Sequence, residues 1–315
     1  MDGFRTCTTD ELTEQEKTDI CELFRNCFHV EKTRKRFEQE FTKTCKGHSY
    51  HCIYRKDDRI LASFCIIPYE YRIDGKTVLF GLSVDTIVSP EAKLGPFGVA
   101  DMAGLAEELA KNDGCSVLYG FPNDNFHEYN LEILGREEIG ILDFHMVPLS
   151  PGKLKKSLTV FNFVRYFSIF NLMVLRLFAS SKTMRFPIEK NDSDVFRGNR
   201  YDERHHFVRF SGGEAVYTLY EESFGTVAYL LDITPVSARN FYSAFLAVAK
   251  EIKKQAGLLV YPCGKLPFGG LLRIPRRFLP RKLHLVACGM SGQTLPALCR
   301  DMRNWKINLS DFDVR

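Results

Sequence analysis

The chain changes its hydrophobic period several times, and each change predicts an element. Thr13-Glu-Gln-Glu16 is a capping box, and Ile20, Leu23, Phe24 and Phe28 follow at helical spacing, which predicts a helix over residues 13–28. Between residues 50 and 88 the pattern becomes short apolar runs broken by Asp57-Asp58 and Asp74-Gly75. That texture is an antiparallel meander of three or four strands. Ser89-Pro90 and the turn Lys93-Leu-Gly-Pro-Phe-Gly98 precede an Ala-, Leu- and Glu-rich stretch over 99–111 that reads as a helix ended by Asn112-Asp-Gly114. A buried strand over 115–121, a helix closing near Gly135 and a strand over 138–148 complete an α/β (α+β) domain over residues 1–150.

Residues 151–182 read as a linker followed by the most apolar segment of the chain. Its polar positions (Thr159, Asn162, Arg165, Ser168, Asn171) recur every third residue and drift around a helix, leaving no narrow polar face. Arg165 and Arg176 make it a poor span, so the readings are a helix buried between domains or one lying on a membrane surface. Residues 183–315 repeat the first pattern in reduced form. Strands at 215–220 and 226–232, a helix from Ser237 to Gln255 and strands at 258–261 and 283–288 keep the order, but Thr234-Pro-Val-Ser237 stands where the glycine turn stood.

Charge separates the halves further. Residues 1–150 carry 17 Lys and Arg against 26 Asp and Glu, whereas 151–315 carry 26 against 13. The basic half suggests an anionic partner, a phosphorylated substrate or an anionic membrane surface; without a nucleic-acid-binding motif, nucleic acid ranks below both. Ten cysteines without a Cys-x-x-Cys pair, and a start without signal-peptide layout, predict reduced thiols and a cytoplasmic location. The eight histidines show no clustered ligand spacing, so no metal is expected.

The chemistry-bearing segment is the strand, glycine turn and helix over residues 83–111. Such a connection aims backbone N–H groups and the positive end of a helix at one point, where a pyrophosphate can sit. Val84-Asp-Thr-Ile-Val-Ser-Pro90, the Lys-Leu-Gly-Pro turn, the Ala-rich helix and Leu118-Tyr-Gly-Phe-Pro-Asn-Asp-Asn125 together resemble the GCN5-related N-acetyltransferase (GNAT) superfamily. Its nearest branch is the bacterial one in capsule and polysaccharide gene clusters. The tail Asn304-Trp-Lys-Ile-Asn-Leu-Ser-Asp-Phe-Asp-Val-Arg315 is also similar to that branch.

The resemblance implies tandem GNAT-like mixed sheets flanked by helices, the second degenerate, and acetyl-CoA or another acyl-CoA as cofactor. Ile87 and Val88 would meet the pantetheine arm, Gly95, Pro96, Phe97, Gly98 and Val99 would form the pyrophosphate loop, and Asn125 would touch the cofactor. The family's acid position, counted back from Gly135, falls on Leu131; Tyr129 is about 200° out of phase on a helix and is expected to be dispensable. Asp85, on the strand beside the thioester, is the candidate general base. Arg273, Arg276, Arg277 and Arg281 would bind the phosphates of a nucleotide- or lipid-linked amino sugar. The resulting expectation is an N-acyltransferase of surface polysaccharide biosynthesis. Its alternatives are a scaffold or membrane-peripheral protein that kept the fold without catalysis, and an aminoacyl or peptidyl transferase.

Overall fold

A computed structural model describes residues 3–279 and 281–312. Pro280 and the last three residues of the family-like tail lie outside the described residues. The chain forms two compact units, and both are discontinuous in sequence: residues 1–140, 187–200 and 283–305 form the first, and 141–186, 201–282 and 306–315 the second.

Numbered along the whole chain, the first unit holds strands β1 (Gly3–Thr8), β2 (Tyr50–Lys56), β3 (Arg59–Ile73), β4 (Lys76–Val88), β5 (Cys115–Gly120), β6 (Glu137–Ile141), β8 (Ile188–Lys190), β14 (His284–Gly289) and β15 (Trp305–Lys306). Their order is β1-β2-β3-β4-β5-β14-β6, with β8 joining β3 to β15. Helices α1 (Glu14–Phe28), α2 (Arg34–Thr42), α3 (Pro96–Asn112), α4 (Asp124–Glu132) and α6 (Asp194–Arg200) belong with them. The expected capping box starts α1: the Thr13 side chain accepts from the Glu16 amide, and Glu16 accepts from the Thr13 amide at 2.8 Å. The meander has three strands, β2 to β4. Its turns Asp57-Asp58 and Asp74-Gly75 lie at positive φ, the geometry that matches strand twist in a two-residue hairpin. Helix α3 starts three residues before the predicted 99 and buries Val99, Met102, Ala103, Ala106 and Ala110, a small-residue face that lets it lie close to the sheet. Trp305 is fully buried among Tyr71, Phe80 and Tyr119, the aromatic core of this sheet.

The second unit holds β7 (Asp143–Pro148), β9 (His205–Phe210), β10 (Gly213–Glu222), β11 (Gly225–Thr234), β12 (Leu258–Cys263) and β13 (Leu272–Arg273), in the order β13-β7-β12-β11-β10-β9. Helices α5 (Val164–Phe178) and α7 (Ala238–Ile252) complete it. The predicted repeat is present as antiparallel β10–β11, crossover helix α7 and parallel β12.

Domain boundaries at 150 and 183 differ from this path for a definite reason. The expected strand over 138–148 is two strands in two sheets: β6 stays in the first, while β7 pairs antiparallel with β12 in the second, Asp143 opposite Cys263 and Pro148 opposite Leu258. In return, β14 pairs antiparallel with β5, Val286 opposite Gly120. Each sheet is completed by a strand from the other half of the sequence. The apolar segment also departs from burial. Leu172 is the one buried residue of α5, whereas Phe167, Phe170 and Phe178 are 66%, 63% and 86% exposed.

Candidate active site

In the first unit β4 runs parallel to β5 from Leu79–Cys115 to Ser83–Gly120, and pairing stops there. Strand β4 continues to Val88, so the backbone groups of residues 84–88 have no partner on β5. The two strands part like a V. On its other side β4 keeps β3, with Ile87 opposite Ser63 and Val88 opposite Ala62, across a register shift between Ser63 and Cys65. Asp85 sits in that bulge at φ +48°, a left-handed backbone that Asp tolerates better than most residues.

The first turn of α3 lies next along the chain. Gly95 is its N-cap and contributes no side chain, Pro96 occupies N1 with no N–H to give, and Val99 N–H already reaches the Gly95 carbonyl at 3.3 Å. Phe97 and Gly98 therefore present the first-turn amides, in an exposed loop whose Lys93 is also left-handed, at φ +51°. A Cβ on Gly95 would meet nothing within 4 Å, and one on Gly98 would meet only the end of the Leu94 side chain, at 3.0 Å. Side-chain space is thus not what the loop lacks; it lacks bulk over its amides.

Two residues stand differently from expectation. The side chain of Asp85 is only 6% exposed and is paired with the ammonium of Lys32, which also holds Glu40 at 2.9 Å. Burial pushes the Asp85 carboxyl up, against the downward pull of Lys32. The candidate base is thus buried and ion-paired. Tyr129, set aside as out of phase, donates its hydroxyl to the carbonyl of Pro96 and stacks on Phe126 with ring centroids 4.8 Å apart. Helix α4 ends at Glu132, three residues before Gly135. Burial raises the Tyr129 phenol, keeping it protonated at neutral pH.

Asn125 lies exposed in the first turn of α4, and its side chain makes no hydrogen bond among the described residues. Arg136, which sequence reasoning passed over, is buried under the fork of the V. It donates to Ser83 Oγ at 3.2 Å and to Asn130 Oδ1 at 2.8 Å, with Glu107 3.7 Å away. Its signal in sequence was a single Arg between helix and strand, too little to place it.

Strands β11 and β12 also part, since their pairing covers only Val227–Leu258 to Tyr229–Val260 while β11 runs on to Thr234. Here the gap is filled by the chain itself. Cys263 bridges to Asn308, Gly264 N–H donates to the Ile307 carbonyl at 2.8 Å, and Asn308 Nδ2 donates to Asp232 at 2.8 Å. Lys306 adds a contact to Asp232 at 3.4 Å. The four arginines belong to this unit. Arg273 lies 3.6 Å from Asp143, Arg276 and Arg277 are exposed on a short turn with Arg277 over Phe278, and Arg281 lies over Phe312.

With this geometry in view, residues 8–129 match the acetyltransferase (GNAT) domain family. No curated protein matches the chain. Among solved structures, a GCN5-related N-acetyltransferase from Kribbella flavida is 12% identical, with TM-score 0.59 over 92% of this chain and 72% of its own. A conserved protein of unknown function from Enterococcus faecalis V583, described as a probable N-acyltransferase, is 12% identical with TM-score 0.57 over 91% of this chain and 73% of its own. Saccharomyces cerevisiae N-myristoyltransferase with bound myristoyl-CoA is 12% identical with TM-score 0.51 over 91% and 83%. The chain therefore has a tandem GNAT-like fold, two mixed sheets flanked by helices, and its residues 8–129 are similar to the GNAT acetyltransferase domain.

Proposed function

We propose that the protein is an acyl-CoA-dependent N-acyltransferase that moves an acetyl or other acyl group to an amine, with an amino sugar of surface polysaccharide as the acceptor class. The observation that carries this reading is the V between β4 and β5 beside the open first turn of α3. Acyl-CoA would place its pyrophosphate on the loop of residues 95–99, at the open amides of Phe97 and Gly98, and its pantetheine arm along Ile87 and Val88. The amine nitrogen attacks the thioester carbon, the C–S bond breaks, the amine gives up a proton and the CoA thiolate takes one. Backbone groups at the Asp85 bulge polarise the thioester; Asp85 holds the bulge through Lys32 and is a positioning residue, while Tyr129 supplies a protonated hydroxyl beside the loop.

The test is acetyl-CoA binding followed by turnover with a panel of amino-sugar nucleotides. Gly98→Asp sets a carboxylate against two phosphates and should abolish binding, Gly98→Ala should retain it, and Tyr129→Phe should lower turnover. Equal affinity in wild type and Gly98→Asp would remove the loop assignment. Absence of acetyl-CoA binding to the wild type would favour the scaffold reading.

A second reading concerns partners. Between Asp143 and Glu189 the sequence has no acidic residue and seven basic ones. The outward aromatic residues of α5 stand among them, and Arg165 stacks on Tyr166. An apolar face with a wholly basic surround suits an anionic bilayer surface. That favours a lipid-linked acceptor over a freely soluble one, with the protein working at the cytoplasmic face.

A further inference from the structure

Three residues distant in sequence meet in the first unit: His127 on α4, Glu138 on β6 and His284, the first residue of β14. The two imidazoles stack with centroids 3.8 Å apart, and both turn a nitrogen to the same carboxylate. His127 Nε2 contacts Glu138 Oε2, and His284 Nδ1 lies 3.1 and 3.2 Å from the two Glu138 oxygens. One ligand atom from each residue falls within 4.8 Å of the others. We propose that this trio binds one divalent transition-metal ion of the zinc class.

The chemistry of the set carries the choice of ion. Two neutral imidazoles and one carboxylate suit zinc and its neighbours, and not the all-oxygen shells of magnesium or calcium. Tetrahedral bonds of about 2.0 to 2.1 Å place ligand atoms about 3.3 Å apart, close to the present His284–Glu138 spacing. Metal would take the place of the hydrogen bonds that now join imidazole and carboxylate; the His127–Glu138 contact opens around it, and the ligand atoms, now spread over up to 4.8 Å, draw in. A second carboxylate is placed as an orienting partner: Asp124 Oδ1 lies 3.6 Å from His284 Nε2, the nitrogen facing away from the trio. His284 thus has a ligand side and a side that faces a carboxylate.

The location gives the ion a task. Strand β14 reaches the sheet from 146 residues beyond Glu138, and a metal held by α4, β6 and the head of β14 would fasten the exchanged strand to its host. His127 and Tyr129 are two positions apart on α4, about 200° around the helix, so this site faces away from the pyrophosphate loop. The inference is independent of acyl transfer.

The experiment uses the untagged full chain, stripped with EDTA and titrated with Zn²⁺ against a chromophoric chelator, with Co²⁺ as a spectroscopic probe. Wild type should bind one equivalent, show the intense visible bands of tetrahedral Co²⁺ and gain thermal stability on zinc addition. Affinity should fall more than about 100-fold in His127→Gln and Glu138→Gln and about 10-fold or more in Asp124→Asn. Both Gln variants keep hydrogen-bonding groups in place, so they remain informative if His284→Ala does not fold. No stoichiometric binding to folded wild type, or undiminished binding and Co²⁺ bands in both Gln variants, would overturn the proposal.

Discussion

The Lys32 ammonium, with Asp85 and Glu40 as counter-charges, lies between the rings of Phe24 and Phe41, 4.8 and 4.5 Å from their centroids. Replacing it with Met fills that aromatic slot but leaves two carboxylates buried side by side. Breaking a buried ion pair from one side costs about 3 to 5 kcal/mol, because the remaining charge is uncompensated. Asp85→Asn is milder: Asn accepts the left-handed bulge, can still accept a hydrogen bond from Lys32, and leaves Lys32 its partner Glu40, so about 1 to 3 kcal/mol is expected. At roughly 2 to 4 °C per kcal/mol for a unit of this size, Lys32→Met should lower the melting temperature by about 6 to 20 °C and Asp85→Asn by about 2 to 12 °C.

The assay is thermal unfolding of both variants alongside acetyl-CoA affinity and the pH profile of turnover. If Asp85 positions the bulge, both variants weaken acetyl-CoA binding in the order of their instability and the pH profile keeps its shape. If Asp85→Asn is as stable as wild type, binds acetyl-CoA normally and loses 10²- to 10⁴-fold in turnover with its acidic limb gone, then Asp85 is the base and the positioning argument fails. A Lys32→Met protein no less stable than Asp85→Asn would refute the electrostatic ordering directly.

Two further outcomes follow from burial and exposure. His51, packed against Phe37 and Phe41 with Nε2 2.9 Å from Thr9 Oγ1, is held by burial at a pKa of about 3 against 6.5 when unfolded. Unfolding therefore takes up a proton below pH 6.5, so stability falls with pH from 6.5 towards 3, by about 2 kcal/mol at pH 5; urea midpoints should show this, and His51→Gln should flatten it. Vesicles rich in phosphatidylserine should sediment the protein while phosphatidylcholine vesicles do not, and Phe167→Glu with Phe170→Glu should abolish the difference; equal binding by both vesicle types, or by the variant, would count against α5 as the contact.

What the sequence disclosed was whatever depends on neighbours along the chain. The capping box at Thr13, the turns at Asp57-Asp58 and Asp74-Gly75 and the helix after the glycine turn each carry their cause within a few residues. The first-turn amides of α3 were legible for the same reason. The Lys32–Asp85 pair spans 53 positions and Glu138–His284 spans 146, so no spacing rule could bring them together. Asp85 lies on the expected strand, but the bulge there breaks the alternation from which its face would be read. Tyr129 reaches the Pro96 carbonyl across 33 positions, a contact that its phase along one helix does not reveal.

The break at Leu142 shows why the domain boundary was harder still. Residues 137–148 offer an almost continuous strand pattern, and nothing local marks the point at which the chain leaves one sheet for the other. The cause lies in remote edges: β5 and β12 each need a neighbour, and the two halves satisfy them reciprocally with β14 and β7. A cut at 150 would therefore remove β14 from beside β5, exposing a row of unpaired backbone groups, and would take Trp305 from among Tyr71, Phe80 and Tyr119. The remaining fragment would retain the pyrophosphate loop and the V between β4 and β5, yet one wall of that V, β5, would have become an edge strand. The second half is thus required for the geometry of the first even though the loop is written wholly in the first, which is why a motif confined to residues 83–111 marks a candidate site without delimiting the unit that holds it in shape.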